Sequence, residues 1–231
     1  MTAYRRLRLG LALVVGLLLM AAALTYIVPF RSTASFVAAD YQYGLAYQKH
    51  LADISVITQK TAYTCNVASM AIVSDYFGTP ATEDSIRAEL GLLDREKGML
   101  PKEYLTYATQ LFAAKNITVA QHNPASETEI LNLVSSSLHS DQPVVMFYST
   151  PDQWHLPNYD THYAVIYALD MANQTVSLSN PYGYLEQLSF QDLFDGLDFT
   201  NYQNEPFAFK LARRFGLVKS NTLFTFEPQK S

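Results

Sequence analysis

The sequence predicts an α+β fold, helical in its first half and built on an antiparallel sheet in its second, preceded by one transmembrane helix. Three observations predict it. Apolar side chains recur at helical spacing from Cys65 to Phe77 and again from Pro101 to Ala114. From Pro143 onward the pattern changes to β-branched and aromatic runs bounded by turn residues. An uncharged apolar stretch, Leu9 to Phe30, opens the chain.

Composition narrows the function classes. A chain of 231 residues buries a sizeable core without staples, and its single cysteine can form no internal disulfide. Zinc ribbons and iron–sulfur sites need more thiols than this. A formal charge of −5 leaves no basic excess to neutralise phosphates, so nucleic acid is not an expected partner. With 13% aromatic and 16% charged residues the chain is not disordered.

As a helix rising about 1.5 Å per residue, Leu9 to Phe30 covers the roughly 30 Å hydrocarbon core of a bilayer. Arg5, Arg6 and Arg8 precede it and Arg31 follows, so the positive-inside bias holds the amino terminus in the cytoplasm and sends the remainder outward. A cleaved signal peptide is the competing reading, with Ala21, Ala22 and Ala23 or Val37, Ala38 and Ala39 as small residues for a peptidase. The apolar run exceeds the ~7–15 residues of a signal core, and Tyr26 and Pro29 stand where an interfacial exit belongs, which favours a retained anchor. Beyond residue 30 the balance is 13 basic against 21 acidic side chains, so contact with the bilayer is expected through residues 9–30 alone. The expected organisation is a basic cytoplasmic start (1–8), a signal-anchor (9–30), a connector with a short helix (31–53) and one exported domain (54–231).

Within the domain, Cys65 to Phe77 reads as a helix stopped by Gly78. Thr82, Glu83 and Ser85 start a second helix running to Leu92, and Pro101 starts a third. Pro143 to Tyr148, Thr161 to Leu169 and Gln174 to Leu178 read as strands, the last two joined by a hairpin-length loop at 170–173. Asn180, Pro181, Tyr182 and Gly183 form a turn, and Phe190 begins a short helix.

A lone cysteine is most often a small apolar filler. Cys65, however, stands where a helix begins, and the partial positive charge of a helix amino end favours thiolate over thiol. Of the five histidines, only His162 opens a strand, a rigid element that can hold a base against a helix end. If the hairpin pairs about 170–173, Asn180 reaches the same end of the sheet and can orient the imidazole. Gln59, six residues before Cys65, can return its amide over the helix start as an oxyanion donor.

The run Gln59-Lys60-Thr61-Ala62-Tyr63-Thr64-Cys65-Asn66-Val67-Ala68-Ser69, followed by Asp75-Tyr76-Phe77-Gly78, resembles the Gln-to-Cys block of papain-like cysteine peptidases related to the bacteriocin-processing, double-glycine-leader peptidases. His162 to Tyr167 and Leu178 to Gly183 resemble their histidine strand and their acid-or-amide turn. The resemblance covers about 54–197. It implies a papain-like fold with Cys65 as nucleophile, His162 as general base and acid, Asn180 as orienting member and Gln59 as oxyanion donor. It implies a peptide or protein substrate and no cofactor. Asn66 replaces a frequent glycine and is expected to crowd the substrate groove. Asn180 replaces a more frequent Asp, and an amide orients imidazole without neutralising its cation.

Two other patterns carry less. His155 with Asp152 and Asp160 fits no familiar metal spacing, and beside Trp154 it reads as part of a loop bordering the groove. Asn116-Ile117-Thr118 and Asn173-Gln174-Thr175 match the glycosylation triplet, which is frequent by chance. The expected function is thiol-dependent peptide-bond hydrolysis at the outer face of a membrane. The alternatives are a silent peptide-binding or assembly module on the same fold, or an acyl transferase using the same thiol.

Overall fold

The strand Thr161–Asp170 (β4) organises the sheet, because among the described strands it alone pairs with three others, two along one edge and one along the other. The structure is a computed structural model and describes residues 40–150, 161–202 and 205–229. Among these residues, Gln48–His50 (β1), Ile117–His122 (β2), Val144–Ser149 (β3), β4, Thr175–Asn180 (β5), Tyr184–Ser189 (β6) and Thr222–Pro228 (β7) form one antiparallel sheet. Its order is β2-β7-β3-β4-β5-β6. β3 pairs with the first half of β4, and β1 takes up the same edge at residues 168–170. The expected β4–β5 hairpin forms, with the Asp170 carboxylate accepting the Asn173 N–H at 2.9 Å and Gln174 turning through a φ of 53°.

The described helices are Cys65–Tyr76 (α1), Glu83–Glu89 (α2), Pro101–Ala113 (α3), Glu127–His139 (α4), Phe190–Leu197 (α5) and Phe207–Arg214 (α6). Their starts follow sequence chemistry. Thr82, Ser126 and Ser189 each accept a backbone N–H three residues on, and Pro101 supplies a preset φ at the head of α3.

All six residues of β3 are buried, so both faces of the sheet centre are covered. One face carries Val145, Phe147, Tyr163, Val165, Phe224 and Phe226, packed with Met70 and Ala71 of α1 and Tyr104 and Phe112 of α3. Tyr104 stacks on Tyr163 at 4.6 Å between centroids. The alternate residues, including Met146, Ala164 and Ile166, point to the other face, where α4 and α5 pack. α1 is buried nearly all round, as a helix with ten buried residues of twelve must be, and it lies directly on β4.

The α+β class with an antiparallel sheet is as the sequence predicts. Four helices, the central strands and the hairpin fall within a few residues of expectation. Where a connector with a short helix was expected, residues 48–50 pair with β4, and Tyr41 and Leu51 are buried. β2, α4, β6, α6 and β7 were not foreseen. The transmembrane segment 9–30 lies outside the described residues, as do Asp152, Trp154, His155 and Asp160. No helix of the described residues is long and apolar enough to cross a membrane.

Candidate active site

Cys65 is the first residue of α1. The turn before it decides what its amide end offers. Thr64 sits at the N-cap position, but its hydroxyl faces backward, accepting from Thr61 N at 3.1 Å and donating to Thr61 O at 3.2 Å. No side chain caps the helix and no acid occupies its first turn, so the partial positive charge of this end is left unneutralised. The thiol is 6% exposed and lines a cavity of about 190 Å³ with Tyr63, Asn66, Gly98, Met99, Thr161 and Tyr163. Asn66 also lines this cavity, its Nδ2 donating to Tyr63 O at 3.0 Å.

His162 lies in β4 and is 1% exposed. Its Nε2 is 2.9 Å from Asn180 Oδ1. That oxygen also accepts Tyr182 N at 2.9 Å, while Asn180 Nδ2 donates to Glu186 Oε2 at 2.6 Å. The amide is therefore oriented with its oxygen toward the ring, so Nε2 carries the hydrogen and Nδ1 keeps its lone pair. Burial drives the imidazole pKa down to about 4, against an opposing upward pull from the Asn180 bond. The ring rests neutral, as a base should. Tyr182 stacks on it with centroids 4.1 Å apart, and Tyr148, directly across on β3, meets it edge-on at 6.0 Å.

Gln59 is strapped to the same corner by its backbone. Gln59 N donates to Pro181 O at 2.7 Å and Ser179 Oγ to Ser55 O at 2.6 Å. Gly183 makes the contact tight: at φ +98° it turns beneath Thr58, and a Cβ there would lie 2.5 Å from Thr58 Oγ1. The Gln59 side chain donates one Nε2 hydrogen to Thr61 O at 2.7 Å, and its Oε1 is buried without a partner.

The structure thus bonds His162 to Asn180 and binds the Gln59 backbone to the turn that follows Asn180. Cys65 packs in the cluster of Phe147 and Tyr163, whereas His162, by strand alternation, starts from the other face. The cavity beside Cys65 is lined by Thr161 and Tyr163, the two chain neighbours of His162, which itself is not among the lining residues.

The sequence profile of the Peptidase_C39 like family matches residues 51–196, well over half of the chain. The chain belongs to that family. As a member of the Peptidase_C39 like family it is a cysteine peptidase, a hydrolase. Solved structures share the papain-like fold. One, a double glycine motif protease from an AMS/PCAT transporter in complex with its leader peptide, aligns at TM-score 0.50 and 13% identity, covering 79% of this chain and 99% of that one. Another, a C39-like peptidase from Bacillus anthracis, aligns at TM-score 0.51 and 14% identity, covering 80% and 100%. No curated protein matches the chain.

Two residues at the site were missed by sequence reasoning. Tyr182 was read only as punctuation in a turn. Glu186 lies in Tyr184–Ser189, whose polar alternation YLEQLS marks a strand only once a partner is known. Among the described residues no group of three His, Cys, Asp or Glu is gathered as a metal site.

Proposed function

We propose that this Peptidase_C39 like protein cleaves peptide bonds at the outer face of a membrane through a Cys65 thioester. The observation that carries the site assignment is the 2.9 Å bond between His162 Nε2 and Asn180 Oδ1, which leaves Nδ1 as the base. His162 Nδ1 takes the Cys65 proton and Sγ attacks the substrate carbonyl. The oxyanion receives the Cys65 backbone N–H and the second Nε2 hydrogen of Gln59. The imidazolium then protonates the departing amine, and water activated by the same nitrogen releases the acid and restores the thiol. A peptide substrate is supported by the family and by the leader peptide bound to the structurally similar protease. Anchoring by residues 9–30, with the domain outward, is supported by the uncharged apolar run and its flanking arginines.

Mass spectrometry of a peptide library incubated with the intact protein or its Cys65→Ala variant tests the reading. New termini that appear only with the intact protein support hydrolysis. Identical product spectra would sink it, and conjugates with an added amine would mark a transferase. Protease digestion of sealed cells tests orientation: domain fragments released without lysis are expected.

A further inference from the structure

Glu186 presents a problem of electrostatics. It sits half-buried on β6, one diagonal step from Asn180 on the same sheet face, since Asn180 pairs with Tyr184 and Leu178 with Glu186. Among the described residues no cation pairs with it, and its one hydrogen bond is the 2.6 Å contact from Asn180 Nδ2. A carboxylate withdrawn from water without a counter-charge is costly unless something nearby becomes positive. The group that becomes positive in the proposed reaction is His162, which lies on the far side of the same amide.

We propose that Glu186 is a positioning residue whose carboxylate fixes the Asn180 amide and supplies, across it, the negative charge that stabilises the His162 imidazolium. The inference rests on the Cys65–His162 reading above. An asparagine in the orienting position is free to rotate by half a turn, presenting either oxygen or nitrogen to the ring. Glu186 removes that freedom, because only Nδ2 can donate to a carboxylate, and Tyr182 N–H fixes the oxygen from its other side. Donation to a carboxylate also polarises the amide and makes Oδ1 a stronger acceptor. The chain thereby regains, one amide further out, the charge that an aspartate in place of Asn180 would carry directly.

The charge of Glu186 acts on the tyrosines around the ring, Tyr148 and Tyr184. Tyr184 on β6, Tyr182 in the turn and Tyr148 on β3 are the titratable groups nearby on the sheet, and Asp192 faces it from α5. Burial raises the Glu186 pKa, the Asn180 bond opposes that rise, and Asp192 adds to it. Among nearby charges, Glu186 is the foremost opponent of ionisation at Tyr148, whose ring meets His162 edge-on.

The test is the rate of Cys65 alkylation by iodoacetamide as a function of pH, in the full chain. Near neutral pH the rate follows the fraction of Cys65 ionised by proton transfer to His162. Glu186→Gln keeps an acceptor for Asn180 Nδ2 and removes only the charge. Expected is alkylation near neutral pH slowed about tenfold, the equivalent of about one unit in the stability of the imidazolium. A Glu186→Gln profile superimposable on the wild type overturns the proposal. Moving the charge inward, in the double variant Asn180→Asp with Glu186→Gln, is expected to restore the wild-type rate, and a rate slowed about tenfold or more in that variant overturns the proposal even if Glu186→Gln alone does not fold. Failure of the underlying reading looks different: wild-type labelling is then slow and indifferent to His162→Ala.

Discussion

The Tyr182 ring lies flat against the His162 imidazole, with planes 11° from parallel and centroids 4.1 Å apart. An aromatic face attracts a cation by ~0.5–2 kcal/mol, so this contact favours the protonated ring of the proposed reaction over the neutral one. Tyr182→Leu is expected to slow iodoacetamide labelling and peptide cleavage by about threefold to thirtyfold. Tyr182→Phe, which keeps the face, is expected to leave both within about twofold. Equal loss in the two variants would assign the effect to the hydroxyl.

Gln59 is tied to the turn after Asn180 by its backbone N–H, while its side chain bonds only to Thr61 O, so truncating the amide should leave the link to Pro181 intact. Removing an oxyanion donor costs about 10²–10³ in kcat. Gln59→Ala is therefore expected to lose kcat by that order with KM little changed, while labelling of Cys65, which forms no oxyanion, stays fast. Steady-state kinetics beside alkylation rates separates the two. Slow labelling in Gln59→Ala would mean that the side chain shapes the thiol's surroundings instead.

Gly183 serves the site at a distance. Its φ of +98° is open to glycine, and a Cβ would press into Thr58 one residue before Gln59. Gly183→Ala is expected to cost ~1–3 kcal/mol of stability and to lower activity by displacing the 55–59 strap. Adding Thr58→Gly should recover the part due to contact and leave the part due to backbone strain. Denaturant melts of the single and double variants give the coupling, and purely additive effects would show that the two residues do not press on each other.

Acid should weaken the fold through His162. Its pKa is held at about 4 by burial, against an ordinary value of 6.5. Between those values the unfolded chain binds a proton that the folded chain refuses, so stability is complete above about pH 6.5 and declines as pH falls toward about 4. The full difference is on the order of 3 kcal/mol. His162→Gln should flatten that part of the curve of unfolding free energy against pH, and an unchanged slope would place the acid sensitivity elsewhere.

Much of the placement of the candidate residues was legible because the elements that carry them are local. A helix that begins at Cys65, a strand that begins at His162 and a short loop at 170–173 are each written in a few adjacent residues. A hairpin converts sequence distance into register, which is why Asn180 could be placed at the His162 end before any coordinates. Glu186 required one more register, that of β6 on β5, and polar alternation gave no reason to look for it. The orientation of the Gln59 amide toward Thr61 depends on a turn whose geometry no residue type dictates. Likewise, the TLFTFEP run at 222–228 has strand composition, yet its seat between β2 and β3 follows from contacts across about a hundred residues.

That seat sets an order of events. β7 leaves the ribosome after every other described strand and yet fills an inner position, so β2 and β3 have no shared neighbour until synthesis has passed residue 228. Sequence-distant pairing of this kind is slow to form. A nascent chain that has already emitted Cys65, His162 and Asn180 therefore carries the candidate site on an unfinished scaffold, and the sheet beneath it closes only when β7 arrives.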